Sequence, residues 1–183
     1  MLLKYFVLII LIFFYSLSSN GNSNIIEELK KNNKLIFIRH ALAPGNGDPD
    51  NFDLSDCSTQ RNLNATGILQ SFKIGQFFID NEIVIDNVYS SQWCRCKDTA
   101  SFAFINFEEL SYLNSFYSHP FILNKDTQMK DLKKFIFNLK STNNVVFVTH
   151  YVVIAELINY FPESGEIIEI DKNMNILNTF KIK

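Results

Sequence analysis

Arg39-His40 and His150 are the residues of this chain whose types and placement point to chemistry. Each histidine closes an apolar run. Leu35-Ile36-Phe37-Ile38 leads into Arg39-His40, and Val145-Val146-Phe147-Val148-Thr149 leads into His150. Short runs of β-branched and aromatic residues read as strands buried on both faces. Two such strands, side by side and parallel, would carry both histidines to the carboxyl ends, where open α/β sheets bind ligands. The chain has 3 histidines, and two of them occupy this position. Arg95 joins them in the first turn of a helix expected after Ser90-Ser91. Two guanidinium forks and two imidazoles meeting at strand ends fit a dianion. Arginine grips phosphate oxygens bidentately, and a helix N-terminus adds backbone donors. Cationic neighbours keep an imidazole neutral, and a neutral imidazole can attack phosphorus. That chemistry calls for no metal and no cofactor. Zinc is the weaker reading, because Cys57, Cys94 and Cys96 offer a Cys-x-Cys spacing and not the usual Cys-x-x-Cys.

The elements that must position these residues alternate between strand and helix. A lead-in helix over Asn24–Lys31 precedes the His40 strand. An irregular stretch, Ala43–Asn62, follows it, with turn pairs at Pro44-Gly45, Asn46-Gly47 and Asp48-Pro49. A loop this long in a small domain is usually functional, and this one is expected to fold over the site. Thr66–Asp80 reads as a helix capped by Asn64, with Ile68, Phe72, Gly75 and Ile79 on one face. Ile83–Tyr89 reads as a strand, Gln92–Phe107 as a helix, Leu110–Phe116 as a strand and Asp126–Leu139 as a helix. The His150 strand runs into a helix over Tyr151–Phe161, stopped at Pro162. Glu166–Ile170 and Asn175–Ile182 form a final hairpin at the sheet edge. The alternation predicts an α/β fold, a three-layer α/β/α sandwich around a mostly parallel sheet.

Composition narrows the function classes. The 183 residues favour one folded domain, and 47% hydrophobic residues, with 18 phenylalanines, supply a core. Charge is almost balanced, 17 basic against 19 acidic residues for a net of −2, which argues against a nucleic-acid partner. Residues 1–23 differ from the rest. Lys4 precedes a thirteen-residue apolar core from Tyr5 to Leu17, and small polar residues follow. This is the pattern of a secretory signal peptide, too short for a comfortable membrane span. The alternative is an uncleaved N-terminal anchor, in which case the membrane is a partner only through that segment. Either way residues 24–183 are expected to fold outside the cytoplasm, in the periplasm or secreted.

Four segments together resemble the histidine phosphatase superfamily, the phosphoglycerate-mutase-like proteins. The family's Arg-His-Gly appears as Arg39-His40-Ala41. Its Leu-x-x-x-Gly-x-x-Gln appears as Leu63 to Gln70, and its Ser-x-x-x-Arg-x-x-x-Thr-Ala as Ser91 to Ala100. The second histidine appears in Val148-Thr149-His150. They stand in the family's order over nearly the whole chain after the N-terminal segment. The resemblance implies a metal-independent phosphomonoesterase, with His40 as the nucleophile that becomes phosphohistidine. Arg39, Arg95 and His150 would hold the phosphoryl group, and Arg61, Thr59 and Ser91 would contact substrate. The loop segment Asp56 to Leu63 looks like that of compact, exported bacterial members, some of which act on envelope sugar phosphates. A small phosphorylated molecule of that kind is therefore the expected partner.

The chain departs from the family at three places. Ala41 stands where glycine follows the first histidine, and Tyr151 where glycine often follows the second. The region that carries a proton-donating carboxylate in many members reads Leu113-Asn114-Ser115-Phe116, so Asp56, or Asp53 beside it, becomes the substitute donor. These departures keep a second reading open, a weak or inactive phosphoryl-binding protein of the same fold. A mutase ranks third, since only about ten residues separate Phe116 from Asp126 and leave no room for a cap. Within the implied fold, Cys57 in the loop approaches Cys94 and Cys96, which flank Arg95. A disulfide from Cys57 to one of the two is expected.

Overall fold

The computed structural model describes residues 20–182, so the expected export segment lies almost wholly outside the described residues. Helix α1 spans Asn20–Lys30 and strand β1 Leu35–Arg39. Helix α2 (Ala65–Asp80), strand β2 (Ile85–Ser90) and helix α3 (Cys94–Phe104) follow. Then come the two-residue strand β3 (Glu108–Glu109), helix α4 (Lys125–Asn138), strand β4 (Asn144–Thr149) and helix α5 (Tyr151–Ile158). Strands β5 (Ile167–Ile170) and β6 (Ile176–Phe180) close the chain as the expected antiparallel hairpin.

The sheet order is β3-β2-β4-β1-β5-β6. β1 and β4 pair in parallel, with Arg39 opposite Thr149, so His40 and His150 leave the sheet side by side. Both strands are buried from end to end apart from Arg39, as their unbroken apolar runs require. One face of the sheet packs Ile36, Ile38, Val146 and Val148 against Leu29, Ile74, Phe78, Ala100 and Ala103 of α1, α2 and α3. The other packs Phe37, Val145 and Phe147 against Leu132, Ile136, Val153 and Ile154 of α4 and α5. The result is the three-layer sandwich expected from the alternation.

Asn144 stitches the amino-terminal end of this sheet. Its amide donates to the Leu29 and Val84 carbonyls at 2.8 and 3.1 Å, and its oxygen accepts the Lys34 N–H at 3.1 Å. A buried asparagine satisfied on both sides fixes three neighbouring elements in register.

Two expectations are corrected. The buried face of α2 is not the one through Phe72 and Ile79, which are 51% and 69% exposed. It runs through Gly67, Ser71, Ile74, Gly75 and Phe78. Small residues decide the face because the backbones approach too closely for side chains. A Cβ on Gly67 would stand 2.2 Å from the Leu42 carbonyl oxygen, and one on Gly75 2.1 Å from that of Ala103. The expected strand over Leu110–Phe116 is also absent: pairing ends at Glu109, and the chain turns through a short 3-10 helix at Ser111–Leu113. Side chains take the carbonyls that a ladder would have used. Thr149 Oγ1 donates to the Leu113 carbonyl at 2.6 Å, and Gln128 Nε2 to those of Tyr112 and Asn114 at 3.1 and 2.7 Å.

Candidate active site

The carboxyl ends of β1 and β4 open into a cavity of about 260 Å³. His40, His150, Arg39, Arg61 and Arg95 all line it, together with Asp48, Trp93, Tyr117 and Tyr151. Arg39, His40, Arg95 and His150, from three of the four family-like segments, thus meet at one cavity.

His40 is 3% exposed, and its N–H bonds to the Thr149 carbonyl at 2.9 Å. Its ring Nδ1 lies 2.8 Å from the Ala41 carbonyl oxygen. A carbonyl only accepts, so Nδ1 carries the proton and Nε2 keeps its lone pair. Burial, followed by the charges of Arg95, Arg39 and Arg61, holds this imidazole well below the usual histidine range despite the Ala41 bond. His40 is therefore neutral at pH 7, with a nucleophilic nitrogen in a cationic pocket. Ala41, where the family has glycine, is fully buried and donates its N–H to Thr99 Oγ1 at 3.0 Å.

The neighbouring helix keeps this turn in place. Gln70 accepts the Leu42 N–H at 3.1 Å and donates to the Ser164 carbonyl at 2.8 Å. Gly67 lets α2 press against Leu42. These contacts account for the glycine and glutamine of the Leu63–Gln70 segment.

His150 is equally buried and also held well below the usual range, by burial first and then by Arg95 and His40. Its ring lies 5.5 Å from that of His40, centroid to centroid. Here Nε2 is engaged: Ser91 Oγ stands 2.8 Å away and also reaches Asn114 Oδ1 at 3.2 Å. Ser91 is fully buried and orients His150; it is not among the residues lining the cavity. The free thiol of Cys96 packs 3.5 Å from the same nitrogen, and burial pushes it up to about 12, so it stays protonated.

Arg95 sits in the first turn of α3, 2% exposed. Its two terminal nitrogens grip Asp48 at 2.6 and 3.2 Å. Asp48 also accepts from Trp93 Nε1 at 3.0 Å and from the Arg61 N–H at 3.1 Å. Burial pushes the Asp48 carboxyl up, but the Arg95 fork and charge outweigh it, helped by Trp93 and Arg61, and hold it below the usual carboxylate range. The Nε of Arg95 and that of Arg39 are buried without a protein partner among the described residues. Asp48 thus occupies the end-on edge of the Arg95 fork. Three guanidinium groups against one carboxylate leave two positive charges at the cavity, the complement of a phosphoryl dianion.

Arg61 divides its guanidinium between the loop and the cavity. It donates to the Gly47 carbonyl at 2.7 Å and to that of Ala43, fastening the loop while lining the site. Arg39 donates to the Pro162 carbonyl at 2.9 Å and lies 5.5 Å from the centre of the Tyr151 ring. Tyr151 therefore holds a cation where a glycine would hold none.

The structure does not bring Asp56, Asp53 or Thr59 to the cavity. The Asp56 carboxylate caps a short 3-10 helix, accepting from Ser58 N and Oγ at 2.9 and 2.8 Å. Asp53 accepts from Ser55, and Thr59 Oγ1 bonds to the Asp53 and Asp56 backbone. All three spend their polar atoms on folding the loop. The carboxylate at the site is Asp48, which the Asp48-Pro49 pair had marked only as a turn.

The loop is fixed over the site by a disulfide between Cys57 and Cys94, with Cα atoms 5.7 Å apart. Beside it, Gln60 accepts the Cys94 N–H at 2.9 Å, filling a donor at the start of α3.

No family model and no curated protein matches this chain. Solved structures do. The protein histidine phosphatase SixA, complexed with tungstate, aligns at TM-score 0.55 and 14% identity, over 81% of this chain and 96% of that one. A phosphoglycerate mutase from Thermus thermophilus aligns at 0.58 and 16% identity, over 82% and 99%. The chain has the histidine phosphatase fold. A putative alpha-ribazole-5'-P phosphatase from Escherichia coli aligns at 0.55 and 16% identity, over 75% and 90%. At these identities the likeness is one of architecture. Within the histidine phosphatase fold, the sheet's carboxyl edge places Arg39, His40, Arg95 and His150 around one cavity.

Proposed function

We propose that this chain is an exported, metal-independent phosphomonoesterase that works through a phosphohistidine. The carrying observation is His40, its Nδ1 held by the Ala41 carbonyl, in one cavity with three guanidinium groups. The Nε2 lone pair attacks phosphorus in line as the bond to the leaving oxygen breaks. Arg39, Arg95 and His150 stabilise the charge on the transferring group, which is the largest contribution expected in such a site. Water then attacks phosphorus as the P–N bond breaks, Nε2 recovers its lone pair, and the proton the water gives up balances, through solvent, the one taken up by the departed alkoxide. Guanidinium groups supply the positive charge that a metal would otherwise bring.

Export is supported by the N-terminal pattern and by the Cys57–Cys94 bridge, since disulfides persist in oxidising compartments. Sugar phosphates of the cell envelope are the proposed substrates. One observation favours the second reading, a phosphoryl-binding protein of low activity. Asp48 is held ionised, so the resting site has no neutral carboxylic acid to protonate a poor leaving group.

Turnover of p-nitrophenyl phosphate separates the two, because nitrophenolate leaves without a proton. The expected result is hydrolysis unaffected by a chelator, with competitive inhibition by phosphate and vanadate. Phosphate binding without hydrolysis would support the binding protein, and loss of activity in chelator would overturn the metal-free mechanism.

A further inference from the structure

Beyond the phosphoryl end, the cavity changes character. The charged groups lining it, among the described residues, are Arg39, Arg61, Arg95 and Asp48. Asp48 is paired with Arg95, and the two surplus positive charges belong to the phosphoryl end, with Arg61 tied to the loop carbonyls and Arg39 to Pro162 and the Tyr151 ring. What remains around the mouth is neutral. Tyr117 and Tyr151 present their rings there, 62% and 39% exposed, and Phe121 and Val152 line the wall between polar Ser115 and Ser118. The wall continues inward as aromatics in edge-to-face contact. Phe121 lies 5.2 Å from Trp93, and Trp93 lies 5.4 Å from His150, so aromatic side chains run from the mouth to His150.

We infer that this site selects a leaving group that is one uncharged ring with an apolar face, an aryl group or a pyranose. The inference rests on the phosphomonoesterase reading and names its substrate class. Aromatic side chains attract the faces of other rings and of sugars through burial and through the quadrupole. The cavity of about 260 Å³ suits a phosphoryl group and a single ring. With the phosphoryl group on the surplus guanidinium charge, a carboxylate on the leaving group would meet no further cation among the described lining residues, and an ammonium no unpaired carboxylate. Hydroxyl groups, by contrast, find the Ser115 and Ser118 hydroxyls. An uncharged ring therefore avoids the cost of desolvating a charge and gains contact along the wall.

The test compares alcohol phosphates whose leaving groups differ little in basicity: benzyl phosphate, a hexose 6-phosphate, ethyl phosphate and 3-phosphoglycerate. The ring esters are expected to exceed ethyl phosphate in kcat/KM by about ten-fold or more, the effect of one well-packed apolar group. 3-Phosphoglycerate should fall at or below ethyl phosphate. Benzyl over hexose would assign the aryl ring, and hexose over benzyl the sugar. Tyr117→Ala should lower the ratio of ring ester to ethyl phosphate, and Tyr117→Phe should keep it. Equal turnover of ring and ethyl esters, a preference for 3-phosphoglycerate, or an unchanged ratio in Tyr117→Ala would overturn the inference. If no ester is hydrolysed, turnover of p-nitrophenyl phosphate decides the phosphatase reading separately. The same esters are then compared as competitors for bound inorganic phosphate. Tighter binding of the ring esters would sustain the ring selectivity, and equal binding would overturn it.

Discussion

The two histidines differ in what their Nε2 atoms touch. Both close a buried parallel strand, both are 3% exposed, and their rings lie 5.5 Å apart. His40 donates its Nδ1 proton to the next residue's carbonyl, and no hydrogen bond from the described residues holds its Nε2. His150 has Nε2 against Ser91 Oγ, with the Cys96 thiol behind. The same side chain at equivalent strand ends therefore has two chemistries. One ring presents a lone pair; the other is oriented to hold. A partner one residue along the chain in one case, and 59 residues away in the other, makes this difference.

The comparison breaks most sharply on replacement. His40→Ala should lower turnover by about 10⁴-fold or more, as loss of a nucleophile does. His150→Ala should cost on the order of 10²–10³-fold, the loss expected for one stabilising donor. Steady-state kinetics on one aryl phosphate measures both, and equal losses would erase the distinction. Asp48→Asn keeps the side chain's shape and frees the Arg95 charge. Loss of the charge-assisted grip should lower kcat/KM by about ten-fold. Ser91→Ala should cost only a few-fold, on the order of a single neutral hydrogen bond. The loss should appear only while His150 is present, so a double-mutant cycle with His150→Ala reads the coupling directly.

Stability against pH reports both rings at once. Each is held neutral in the folded chain, well below the ordinary histidine value of about 6.5 that applies when unfolded. Below that value the unfolded chain binds more protons than the folded one. Stability therefore falls as pH drops through about 6.5 toward the folded values, and is flat with respect to these groups above it. Urea unfolding at steps from pH 8 to 5 measures the slope, which should be reduced in His150→Gln.

Much of this site could be read in the sequence, for a physical reason. Apolar runs fix β1 and β4, a parallel pair aligns their ends, and the residue after each run must then face the same crevice. Arg95 was legible because helix starts and phosphate ligands share their chemistry. Asp48 was not. It lies 47 residues from Arg95, in a loop without periodicity, and Asp before Pro reads as a turn. Asp56 was misleading for the same reason: loop aspartates that cap backbone N–H groups look like any other carboxylate in a sequence. The strand expected at Leu110–Phe116 had suitable residue types, but Thr149 and Gln128 claim its carbonyls. Such competition arises only once the fold has brought distant side chains together.

The free Nε2 of His40 is tested most directly by trapping the intermediate. A phosphomonoester labelled at phosphorus is mixed with enzyme and quenched in base during turnover, since phosphohistidine survives base and not acid. Label should appear on the peptide containing His40, bonded to Nε2, and should be absent from His40→Ala and from an acid quench. Label on His150, or turnover at full rate in His40→Ala, would contradict the assignment.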